Sequence, residues 1–105
     1  MIKDKKKLIA YLDSTVSSVF KILPLYEEVN IGIEVYVESL LFELYGLEES
    51  VEIEHSPEYV SLINTLESIK REVGNEESKK SVVKREVFKC INIIKHMVDK
   101  LKEGE

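Results

Sequence analysis

Residues 31–46 read Ile31-Gly32-Ile33-Glu34-Val35-Tyr36-Val37-Glu38-Ser39-Leu40-Leu41-Phe42-Glu43-Leu44-Tyr45-Gly46. At about 100° per residue, Ile33, Tyr36, Val37, Leu40, Leu44 and the next residue but two, Leu47, form one stripe along a helix. Ile31, Val35, Phe42 and Tyr45 form a second stripe on the other side. A helix in a small bundle needs only one apolar face to reach the core. The second face therefore predicts either a contact with another molecule or a central helix that touches neighbours on both sides. The residues assigned to that contact are Ile31, Val35, Phe42 and Tyr45, with Glu38 at its rim.

The flanking sequence supplies three more helical segments. The first runs from about Asp4 to Leu23, with Leu8, Tyr11, Leu12, Thr15, Val19, Ile22 and Leu23 at helical spacing. Pro24 cannot donate to the carbonyl four residues back, so the helix ends or kinks there, with Leu25 and Tyr26 available for one further turn. Asn30 is placed to cap the 31–46 helix, and Gly46 to end it with a left-handed C-terminal cap. Leu47 to His55 reads as an acidic loop; Val51-Glu52-Ile53 alternates like a strand but is too short to make a sheet.

Ser56-Pro57-Glu58 puts a capping hydroxyl, a first-turn proline and a first-turn carboxylate in order. The helix it opens carries Tyr59, Leu62, Ile63, Leu66, Ile69 and Val73 on one stripe, and Gly74-Asn75 stops it. The last segment starts near Glu77 or Ser81 and runs to Lys102. There Val83, Val87, Cys90, Ile94, Met97 and Leu101 repeat every four and three residues, a heptad seam widened by Ile91 and Val98. Four amphipathic segments with short joints predict an all-α, antiparallel up-down four-helix bundle made of a single domain, 1–105. Leu40, Leu66, Ile94 and Val19 belong at its centre.

Charge is unevenly spread. Net charge is −5, yet no Lys or Arg occurs from Ile22 to Ile69, a stretch holding eleven glutamates, while both ends are basic. Either the acidic middle neutralises the basic ends within one folded unit, or it forms a one-signed face that steers a basic partner. The basic N-terminus is not followed by a signal-type apolar region, and no apolar run approaches the roughly 20 residues of a membrane span. One cysteine excludes an internal disulfide and fits a reducing cytoplasm. The Lys/Glu/Ile-rich, Trp-free composition resembles that of bacterial or phage proteins from AT-rich genomes.

Chemical constellations are sparse. Glu52 and His55 have the Glu-x-x-His spacing of di-iron bundles, but only once. Two histidines and one cysteine at scattered places make no zinc site, so no metal and no cofactor is expected. Cys90 sits in a core seam, and His96 falls on the polar side of its helix. Glu34 and Glu38, one turn apart, are the only pair considered for acid–base chemistry, and a solvated helix edge explains them better. The lysines at 5–7 and the Lys79-Lys80-Lys84-Arg85 cluster are too few for nucleic-acid binding at this net charge.

The expectation is therefore a non-catalytic cytoplasmic interaction or regulatory module, a homodimer through helix 31–46, with no nucleic-acid or membrane partner. The alternative is an acidic inhibitor of the immunity, antitoxin or anti-defence type that blocks a basic effector protein. A carboxylate hydrolase built on Glu34 and Glu38 ranks behind both.

Overall fold

The computed structural model describes residues 5–28, 32–50, 57–75, 77 and 79–103, with backbone only at 5 and 47–50. It is all-α: α1 (Lys5–Phe20), α2 (Ile22–Glu27), α3 (Ile33–Ser50), α4 (Pro57–Val73) and α5 (Lys80–Glu103), with no strand among the described residues.

α1 and α2 are one helix interrupted at Lys21. Pro24 has no N–H for the Phe20 carbonyl, and its ring crowds that carbonyl. The ladder survives on either side, with Lys21 N–H donating to Ser17 O (3.2 Å) and Leu25 N–H to Lys21 O (3.3 Å). The proline thus breaks the helix three residues before itself, and the chain continues to Glu27, where Glu28 N–H closes on Pro24 O (3.0 Å).

α3 departs from expectation at both ends. Its first bond runs from Tyr36 N–H to Gly32 O (3.0 Å), so Gly32 occupies the cap position assigned above to Asn30, which lies outside the described residues. The helix then passes through Gly46 and reaches Ser50. Glycine permits a left-handed cap but does not compel one, and Leu47-Glu48-Glu49 are good helix formers that carry the ladder on. The loop reading of 47–50 is therefore corrected to helix; residues 51–56, with the Glu52/His55 pair, lie outside the described residues.

α4 opens at Pro57 and closes with Lys70 and Arg71 in its last turn, where the helix dipole favours cations. Gly74 N–H donates to Lys70 O and Asn75 N–H to Glu72 O, and the Asn75 side chain then accepts from Glu77 N–H (3.0 Å) to form the turn. α5, about 36 Å long at 1.5 Å per residue, spans most of a molecule measuring 44 × 22 × 21 Å.

The core is continuous. Leu12, Val19, Ile22, Val37, Leu44, Leu62, Leu66, Ile69, Val83, Val87, Cys90 and Ile94 are almost wholly shielded from solvent, and Leu40 is buried with them. Thr15 and Thr65 are buried polar residues whose hydroxyls donate to carbonyls four residues back, Tyr11 O (2.9 Å) and Ser61 O (2.7 Å). α1 packs on α5, α5 on α4, α4 on α3 and α3 on α2. Residues Lys6–Glu27 are, by length and mean hydropathy, long and apolar enough to cross a membrane, which the sequence expectation had not allowed. In this fold Leu8, Leu12, Val19 and Ile22 of that segment enter the core, and 28% of its most apolar window is buried.

Candidate interaction surfaces

The two stripes of helix 31–46 separate as their spacing dictates. Ile33, Val37, Leu40 and Leu44 are buried, together with Leu41, which the stripe reading did not include. Val35 is 65% exposed, Phe42 66% and Tyr45 40%. Ile31 lies outside the described residues. Val35, Ser39, Phe42 and Gly46 line up along the outside of α3 at four-, three- and four-residue steps, the spacing of a helix seam. The Ser39 hydroxyl donates to its own helix at Val35 O (2.9 Å), so it presents no unsatisfied polar group along that ridge.

One flank of the ridge is tied to α4. Glu38 faces Lys70 at 3.8 Å, the Tyr45 hydroxyl donates to Glu67 Oε1 (3.1 Å), and the Glu34 carboxylate lies against the backbone of Gly74. Glu38 thus reaches α4 itself, and Glu34 reaches the turn that follows it. The other flank is tied to α1 by the Tyr36 hydroxyl, which donates to Ser18 O (2.7 Å). Burial raises the Tyr36 pKa, and Glu43 adds to the rise.

Burial, assisted by Glu86, pushes the Cys90 thiol up to about 12, so it stays protonated near neutral pH. His96 is exposed on α5 and lies 3.7 Å from Glu58, which also receives Lys100. No group of three or more His, Cys, Asp or Glu residues able to hold a metal occurs among the described residues.

A second exposed apolar site was only half visible in the sequence. Phe88 stands off the α5 seam, as its spacing indicates, and is 40% exposed. Its partner is Phe20, 50% exposed at the end of α1, and the rings meet edge to face with centroids 6.2 Å apart. Nothing in the local sequence of Phe20 identifies this pair, because it depends on α1 packing against α5. Comparison with protein-family models, curated proteins and solved structures finds no match to the chain.

Proposed function

We propose that the chain is a non-catalytic, cytoplasmic protein-interaction module that pairs with a second copy of itself through the outer face of α3. The observation that carries this reading is the exposure of Val35 and Phe42 on a helix that buries Ile33, Val37, Leu40, Leu41 and Leu44 in the core from its other face. Its framework is read as an antiparallel up-down bundle. Contacts joining the start of one helix to the end of its neighbour support that arrangement: Lys80 to Glu27 (2.7 Å), and Glu58 to both His96 and Lys100.

Sizes along the ridge favour a two-fold pairing. In an antiparallel pair centred between Leu40 and Leu41, Phe42 lies opposite Ser39 of the other copy, and Val35 opposite Gly46. Large thus meets small at each level, and the same patch serves both copies, as an isologous contact requires. Glu38 sits at the rim with Lys70 beside it.

Phe42→Glu places a carboxylate in the centre of that contact. The expected result is a shift from dimer to monomer in sedimentation equilibrium, with helix content unchanged by circular dichroism. A wild-type chain that is monomeric at high micromolar concentration overturns the pairing. A second reading, an acidic inhibitor of a basic effector, draws support from the absence of Lys and Arg between Ile22 and Ile69. The two respond oppositely to salt, as argued in the Discussion.

A further inference from the structure

We infer that the aromatic cleft between α1–α2 and α5 is a second docking site, which takes an acidic amphipathic helix of a partner protein by an apolar anchor residue. This inference does not rest on the pairing through α3.

The cleft is a consequence of the helix break. Pro24 interrupts the ladder at Lys21, and Phe20 is left outside the core beside Phe88. Between these rings and the proline lies a space of about 430 Å³, floored by Leu23 and Val83. That volume is within the range of sites that receive an inserted group. Two large aromatic side chains left to solvent on one rim are otherwise an unfavourable use of surface.

The residues lining the cleft carry two lysines against one glutamate, a small positive excess. Lys80 and Lys84 stand on its rim with Glu27, while Arg85 and Lys89 line a neighbouring cleft that shares Phe88. Lys80 is held by Glu27 at 2.7 Å, and Arg85 lies 3.6 Å from Glu86. Lys84 makes no ion pair within 4 Å among the described residues, though its charge, after that of Lys80, helps lower the Glu27 pKa. A segment with a large apolar residue flanked by carboxylates complements both features, and such anchors at helical spacing are how amphipathic helices dock in grooves. Nucleic acid fits less well. The rings meet edge to face around a side-chain-sized space rather than offering flat stacking platforms, and the chain is net acidic.

The test uses the full chain, labelled with ¹⁵N, and two synthetic peptides of one design: a helix with leucines at three- and four-residue spacing and glutamates elsewhere, and the same peptide with lysine for every glutamate. The acidic peptide is expected to bind, to shift amide resonances of 20–27 and 80–89, and to weaken as salt is raised. The basic peptide is expected not to bind there. Lys84→Glu, an exposed change that leaves the core intact, is expected to weaken the acidic peptide by about tenfold or more, as charge reversal beside a docked carboxylate should. Phe42→Glu is expected to leave binding unchanged, which separates this site from α3.

Equal binding of both peptides, shifts confined to α3, or an unaffected Lys84→Glu variant overturns the inference. So does binding to phosphatidylglycerol vesicles or to single-stranded DNA in place of the peptide. A mixture of Phe42→Glu and Phe88→Glu chains that forms a one-to-one complex also overturns it, because the cleft would then hold the α3 face of another copy.

Discussion

Tyr11 is half-buried on α1, and its hydroxyl, itself shielded from solvent, makes no well-formed hydrogen bond among the described residues. Thr15 is its polar neighbour, but the Thr15 hydroxyl is donated to the Tyr11 carbonyl. Burial and Glu43 both raise the phenol pKa. An unpaired buried hydroxyl costs stability, and removing it relieves that cost. Tyr11→Phe is therefore expected to leave stability unchanged or raise it by up to about 1 kcal/mol; a loss of that size in urea melts would give the hydroxyl a partner. Cys90 carries a pH-dependent counterpart. Its thiol, ordinarily near 9, is raised to about 12 in the fold. The unfolded chain ionises it first, so the stability it contributes is complete below about pH 9 and is lost as pH rises toward about 12. Between about pH 8 and about pH 10.5, wild type should lose more unfolding free energy than Cys90→Ala, since only wild type carries the thiol. Equal losses would place the thiol in a solvated site.

At the scale of the element, Gly46 is the most informative residue. It lies inside α3, and a methyl group added there meets no atom within 4 Å. Gly46→Ala should stabilise the chain by about 0.5–1 kcal/mol through the entropy of the unfolded state and better helix propensity. A thermal melt that moves downward instead in the Phe42→Glu background, where the pairing of Gly46 with Val35 of a second copy is removed, would show that α3 does not continue through this position. The same residue marks the limit of what the sequence discloses. Core positions were legible because burial repeats at helical spacing: Val83, Val87, Cys90, Ile94 and Met97 are all buried, as are Leu40, Leu66 and Val19. Helix ends were not, because Gly46 is chemically able to cap or to continue, and its neighbours decide. Pro24 was legible as a break, but the break falls at Lys21, where the missing bond is felt. The exposure of Val35, Phe42 and Tyr45 follows from periodicity within one helix. The Phe20–Phe88 contact required knowing which helices meet.

For the molecule as a whole, the distribution of charge decides between partners for α3. Its exposed side carries Glu34, Glu38 and Glu43 and no basic residue. Lys70 offsets Glu38 only partly, at 3.8 Å and partly in solvent. Bringing two copies together through this face therefore places like charges at both rims, and the apolar ridge must overcome that repulsion. Screening lowers the repulsion, because the Debye length falls from roughly 30 Å at 0.01 M salt to about 3 Å at 1 M, while burial of Val35 and Phe42 is unaffected or strengthened. The homodimer should tighten as sodium chloride is raised from about 0.05 to about 0.5 M, visible as a lower dissociation constant in sedimentation equilibrium. A complex with a basic effector should do the opposite, because attraction between unlike surfaces is what salt weakens. Phe42→Glu sharpens the distinction. In the homodimer it adds two carboxylates to one contact and should abolish association at low salt, with partial recovery at high salt. Against a basic partner it removes one apolar anchor but adds a favourable charge, so binding should weaken far less. Dimerisation that weakens steadily with salt would mean that opposite charges hold the two copies together, and α3, which has only one sign to offer, would no longer be the face that joins them.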